Sequence, residues 1–187
     1  MMTLHELCAK HKRGLWPDKG DVHSYLYWYA TALEKYRHTA SCVLEIGLMS
    51  GESLRMWTDY FTAAEVYGMD ISIKPIDGMA DLTACISEGY RVRIGNAANP
   101  EDIEKHFAGK KFDVVIEDAG HHIEQQLAIY ANLKPYMNEG GIYIIEDVQD
   151  IDATRSLFEN IDSERNVEVL DFRQLKGRYD DVLVVIF

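Results

Sequence analysis

Val43-Leu44-Glu45-Ile46-Gly47-Leu48-Met49-Ser50-Gly51-Glu52-Ser53 is the stretch that decides the fold. A mostly apolar run breaks at Gly47, turns through a second glycine at Gly51, and opens into GESLRMWTDYFT, which reads as a helix. Strand, glycine turn and helix in immediate succession form the first unit of an alternating α/β chain. Glycines at such a turn let backbone approach a ligand closely, and the helix start presents unpaired N–H groups.

The same unit recurs on both sides. Strands are expected at CVLEI from Cys42, EVYGMD from Glu65, YRVRI from Tyr90, FDVVIED from Phe112, GIYIIED from Gly141, VEVLDF from Val167 and DVLVVIF from Asp181. Most are nearly continuous in branched or aromatic residues, the pattern of strands covered on both faces of a parallel sheet. Helices are expected from Gly51, after the Asn99-Pro100 cap, over Ile123–Met137 up to the Asn138-Glu139-Gly140-Gly141 turn, and over Ile151–Ile161. QLKGRYDD is too short for a crossover helix, so the last two strands should form an antiparallel hairpin at one edge. The expected fold is therefore α/β: a doubly wound, mostly parallel, seven-stranded Rossmann-like sheet with an antiparallel C-terminal edge hairpin.

The chain has 187 residues and is expected to be a single domain, with an N-terminal helical segment over 1–40 and the core over 41–187. In DVHSYLYWYATALEKYRH, Val22, Leu26, Tyr29, Leu33 and Tyr36 form one helical stripe. Trp16, Tyr25 and Trp28 lie off it, where they can close over a substrate. Nineteen Lys plus Arg against 31 Asp plus Glu give a net charge of −12, which speaks against nucleic acid as a partner. Cys8, Cys42 and Cys85 have no metal-ligand spacing and read as reduced thiols. With no signal-peptide pattern or membrane-length apolar run, a soluble, cytoplasmic protein is expected.

A dinucleotide fold would want G-x-G-x-x-G around a pyrophosphate, but Met49 stands where its middle glycine belongs. Glu45 is ill-suited to a pyrophosphate and well suited to an ammonium group. S-adenosylmethionine carries an amino group and a sulfonium and has no phosphate. Asp70, at the end of the next strand, can accept from ribose hydroxyls of either cofactor. Gly95-Asn96-Ala97, at the end of the third, can reach an adenine. Ser50 and Ser53 complete the candidate cofactor loop with Gly47 and Gly51.

Two later strands end in acids: Glu117-Asp118-Ala119-Gly120-His121-His122 and Glu146-Asp147. Asp118, Glu146 and Asp147 should converge on one rim, where a hard divalent cation, Mg²⁺ foremost, would relieve their repulsion. Glu117 is expected to point away. His121 and His122 are candidate proton carriers near neutral pH.

Glu45-Ile46-Gly47 through Gly51-Glu52-Ser53-Leu54-Arg55-Met56-Trp57, with Tyr67-Gly68-Met69-Asp70, Asp118-x-x-His121 and Ile145-Glu146-Asp147, resembles class I S-adenosylmethionine-dependent methyltransferases. The nearest likeness is to the metal-dependent sugar O-methyltransferases of natural-product pathways, the macrolide-sugar, rhamnosyl and cephalosporin hydroxylase-like group. That resemblance implies cofactor binding by the first-loop glycines and Asp70, Mg²⁺ binding by Asp118, Glu146 and Asp147, and His121 as base. This chain has Glu117-Asp118-Ala119-Gly120-His121 where the family usually reads Asp-Asp-Gly-Ser-His. Glu52 stands where a glycine is usual and Asn96 where an acid is usual. The implied partner is a small hydroxylated acceptor, while oligomeric state, homo-oligomer included, stays open. Rival readings are a non-catalytic S-adenosylmethionine-binding subunit and an NAD-dependent oxidoreductase.

Overall fold

The computed structural model describes residues 1–14, 17–76, 78 and 80–187. Seven strands form one sheet: β1 (Cys42–Ile46), β2 (Glu65–Asp70), β3 (Arg91–Ile94), β4 (Phe112–Glu117), β5 (Met137–Ile145), β6 (Val167–Asp171) and β7 (Val182–Ile186). Their order is β3-β2-β1-β4-β5-β7-β6. Strands β1 to β5 pair in parallel, and β7 runs antiparallel to both neighbours. The doubly wound sheet and the C-terminal antiparallel hairpin are as expected, with β7 inserted between β5 and the edge strand β6.

Alternation along the strands builds two apolar layers. Val43, Val66, Val114 and Ile144 face α1 (Leu4–His11), α2 (Leu26–Ala32) and α3 (Glu52–Tyr60). Leu44, Met69, Val115 and Ile145 face α5 (Pro100–Phe107), α6 (Ile123–Leu133) and α7 (Ile151–Glu159). A short α4 (Thr83–Ser87) precedes β3, and α8 (Arg173–Lys176) sits in the hairpin connection. Helix α5 starts as its sequence directs, with the Asn99 side chain accepting from Glu101 N and Pro100 in the first turn. Helix α1 lies in the expected N-terminal helical segment and is closed by a capping box between Thr3 and Glu6.

Two boundaries are corrected. The stripe from Val22 to Tyr36 does not form one helix: α2 spans Leu26–Ala32 and a 3₁₀ turn covers Glu34–Tyr36. Residues before Leu26 are held as turns instead, because Lys176 Nζ donates to the carbonyls of Gly20, Asp21 and His23, and Ser24 N donates to Asp181. Asn138-Glu139-Gly140-Gly141 is not a separate turn but the opening of β5, where Asn138 Nδ2 donates to Asp113 at 2.7 Å and Met137 pairs with Phe112. The three cysteines are free and buried. Among the described residues, no helix is long and apolar enough to cross a membrane.

Candidate active site

Strand order reverses between β1 and β4, so the C-terminal ends of these strands open a crevice where doubly wound sheets take ligands. A cavity of about 690 Å³ lies there, within the range of small-molecule sites. The strand tips are laced together across it. Gly47 N donates to Met69 O, Gly95 N to Asp70 O, Asp118 N to Ile46 O and Glu146 N to Glu117 O, all at 2.8–2.9 Å.

Gly47 has φ 85°, and a Cβ there would overlap the Asp118 carbonyl. Only glycine lets the first loop pass this close to the β4 tip. Leu48 N donates to Asp70 Oδ2 at 2.7 Å, which fixes the Asp70 carboxylate at the cavity edge. Burial raises the Asp70 pKa, and hydrogen bonds from the Leu48 and neighbouring backbone oppose the rise. Gly47, Ser53, Asp70, Asn96 and Ala97 line the cavity, while Glu45, Ser50 and Gly51 do not. Glu45 sits on the α3 face of the sheet, fully buried, accepting from Trp57 Nε1 at 3.0 Å, and burial lifts its pKa to about 7. Ser50 Oγ accepts from Asp81 N, and Gly51 caps α3 against Cys85. The Asn96 side chain closes a local turn by accepting from Ala98 N.

Glu52 is a cavity residue that sequence reasoning passed over, since it registered only as a departure from a usual glycine. It lines the cavity in the first turn of α3, is 4% exposed, and its Oε2 is buried without a partner.

In the same cavity, Asp118, His121 and Asp147 bring ligand-capable atoms within 4.8 Å of one another. A divalent ion fits that spacing. His121 Nε2 lies 3.8 Å from Asp147 Oδ2, and its Nδ1 is buried without a partner. Burial lowers the His121 pKa, so the ring is held neutral. Burial and the charge of Asp118 push Asp147 up to about 8. His122 caps α6 with its side chain exposed and outside the cavity. Glu117 is fully buried away from the cavity lining, as expected.

Glu146 does not share the cavity with the other two acids. The Glu146 side chain turns to the α2 side. There it accepts from Tyr29 Oη at 2.6 Å and from Lys19 Nζ at 2.8 and 2.9 Å. Lys19 also donates to Asp118 Oδ2 at 2.6 Å. Burial works against the Lys19 charge, but Asp118, Glu146 and Glu45 outweigh it and hold the ammonium well above the ordinary lysine pKa. Tyr25 is buried beneath the site, donating to Asp147 Oδ1 at 2.7 Å, and Trp28 packs on Tyr29; neither lines the cavity. Trp16 lies outside the described residues. His23 Nδ1 is 3.2 Å from Asp147 Oδ1, and burial lowers its pKa to about 4. No spacing signal marks Lys19 or His23, because both arrive from an irregular turn distant in sequence. Four non-glycine residues take left-handed backbone here: Met49, His121, Asp147 and Asp150, with φ between 51° and 54°.

Residues 44–148 match the model of the methyltransferase domain family, more than half of the chain. The chain belongs to that family. This methyltransferase domain is 30% identical over 140 residues to the 8-demethyl-8-alpha-L-rhamnosyl tetracenomycin-C 2'-O-methyltransferase of Streptomyces olivaceus, covering 71% of this chain and 35% of that protein. It is 30% identical over 153 residues to demethylmacrocin O-methyltransferase of Streptomyces fradiae, covering 78% of this chain and 36% of that protein. The domain thus spans about a third of the curated relatives it matches. Its fold matches the MycE methyltransferase of the mycinamycin pathway, solved with Mg, SAH and mycinamycin VI. The TM-score is 0.70 at 22% identity, over 99% of this chain and 54% of that one. Aeropyrum pernix fibrillarin shares the fold at a TM-score of 0.61 and 16% identity, over 81% of this chain and 68% of that one.

Proposed function

We propose that this chain transfers the methyl group of S-adenosylmethionine to a hydroxyl of a small, hydroxyl-rich acceptor, a sugar or the sugar of a glycosylated natural product. The observation that carries this reading is one cavity lined by the Gly47 turn and Asp70 together with Asp118, His121 and Asp147. Relatives named for O-methylation of rhamnosyl and macrolide compounds support the acceptor class, and the Mg and SAH of the MycE complex support the cofactors.

In this scheme Asp70 receives the ribose hydroxyls, Asn96 and Ala97 border the adenine, and the free carboxylate oxygen of Glu52 takes the ammonium of the methionine moiety. Asp118 and Asp147 would hold a divalent ion, which when bound supplies charge that orients the acceptor oxygens and lowers the hydroxyl pKa. A hard ion of this kind prefers oxygen ligands, which leaves His121 for the proton. The neutral His121 ring takes the hydroxyl proton as the new oxygen–carbon bond forms and the sulfur–carbon bond breaks, leaving the ether and S-adenosylhomocysteine. The chain's contribution is to hold oxygen, methyl and sulfur in line.

Calorimetric titration with S-adenosylhomocysteine and with NAD tests the class: binding of the first and not the second is expected, and the reverse would establish an oxidoreductase. Methyl transfer from labelled S-adenosylmethionine to a rhamnoside separates the enzyme from a cofactor-binding subunit without activity.

A further inference from the structure

Among the described residues, Lys19 is the only buried lysine. Its three ammonium protons meet three carboxylate oxygens: Asp118 Oδ2 at 2.6 Å and the two Glu146 oxygens at 2.8 and 2.9 Å. A divalent ion bridging Asp118 and Glu146 would have to stand in the same place. The turn carrying Lys19 is fastened as well. Tyr25 N and Leu26 N donate to its carbonyl at 3.0 Å, and Lys176 Nζ grips the Gly20 and His23 carbonyls at 2.5 and 2.6 Å.

We propose that Lys19 is the built-in cation of the acid cluster. It takes the bridging position between Asp118 and Glu146 and leaves only the Asp118–Asp147 side for an added divalent ion. Glu146 then serves to seat Lys19, with Tyr29 as its second donor, and is not a metal ligand in this chain. The proposal rests on the methyltransferase reading only in taking Asp118 and Asp147 as the cation-binding pair. It follows that Lys19 lowers the affinity of the site for divalent ions, and that removing its charge frees the carboxylates of Asp118 and Glu146 to join Asp147 around one ion.

The test is calorimetric titration of the full chain with MnCl₂, for wild type, Lys19→Met and Lys19→Gln, with melting temperatures recorded with and without Mn²⁺. Lys19→Gln keeps a hydrogen-bond donor toward Glu146 and guards against a folding failure specific to the methionine. Both variants should bind Mn²⁺ at least about 10-fold more tightly than wild type, since a unit charge within a few ångströms of the ion has been withdrawn. Their melting temperatures should rise more with Mn²⁺ than that of wild type. A variant that folds only with Mn²⁺ supports the proposal equally, because the ion has replaced the ammonium. Equal or weaker Mn²⁺ binding by folded variants overturns the proposal, as does failure of both to fold at any Mn²⁺ concentration. Titration of wild type with S-adenosylhomocysteine reports separately on the methyltransferase reading, so either idea can fail without the other.

Discussion

Leu48 N donates to the Asp70 carboxylate at 2.7 Å, joining the glycine turn after β1 to the tip of β2. Two parts of the cavity lining, 22 residues apart in sequence, therefore share one hydrogen bond. Asp70→Ala removes both the bond and the acceptor proposed for the ribose. S-adenosylhomocysteine affinity should fall about 10- to 100-fold, the range of losing one or two charge-assisted bonds. Calorimetric titration checks it, and unchanged affinity would remove Asp70 from the pocket.

Gly47 and Gly109 have similar backbone, φ 85° and 73°, but different surroundings. A methyl on Gly47 meets the Asp118 carbonyl, whereas nothing lies within 4 Å of one on Gly109. Gly109→Ala should cost only the left-handed penalty, about 1–2 kcal/mol. Gly47→Ala should add a steric cost of about 1–3 kcal/mol and spread the β1 and β4 tips. Denaturant melts of the two variants measure the difference, and equal losses would mean that the loop relaxes freely.

Glu52 lines the cavity from the first turn of α3 and has one buried oxygen without a partner. Glu52→Gln keeps its shape and removes its charge. The variant should bind S-adenosylhomocysteine about 10-fold more weakly, a charged hydrogen bond being worth about 1.5–3 kcal/mol. Its affinity for 5'-deoxy-5'-methylthioadenosine, which lacks the ammonium, should not change. Equal loss for both ligands would assign Glu52 to scaffolding.

His121, not His122, faces the cavity. His121→Asn should cut methyl transfer about 10²–10⁴-fold, the usual worth of a general base, while His122→Asn stays within a factor of about 3. Burial holds the His121 pKa below its ordinary value, which moves the acid limb of the rate to lower pH than a free imidazole would give. An acid limb at the ordinary histidine value would argue against this assignment.

Glu117 is fully buried, one of its oxygens has no partner, and burial pushes its pKa from 4.5 up to about 8. Between those values the folded chain keeps a proton that the unfolded chain releases, so this group makes stability fall as pH rises from 4.5 toward 8. Glu117→Gln removes that titration. Its melting temperature should vary less with pH and exceed that of wild type at pH 8 by at least about 2–4 °C, the shift made by ~1 kcal/mol in a domain of this size. Parallel melting curves across the window would show that Glu117 is ionised when folded.

The sheet was legible because its strands announce themselves: Cys42–Ile46 and Glu65–Asp70 begin and end where their apolar runs do. The acids at 118 and 147 and the histidine at 121 were legible as strand-end residues, since topology alone brings such tips together. Glu146 was legible as a third acid at the same strand tips, but its pairing with Lys19 and Tyr29 was not. Lys19 and His23 were hidden for another reason. They reach the cluster from turns held by Lys176 and Asp181, and no local periodicity encodes a contact more than 150 residues away.

The left-handed residues at positions 49, 121, 147 and 150 all follow the ends of β1, β4 and β5. Each forgoes about 1–2 kcal/mol that glycine would recover. Laboratory evolution that rewards heat resistance alone will be drawn to glycine at these places first. Thermotolerant descendants of this chain should therefore surface early, and those that exchange the side chain at 121 or 147 for glycine should lose the chemistry proposed for them.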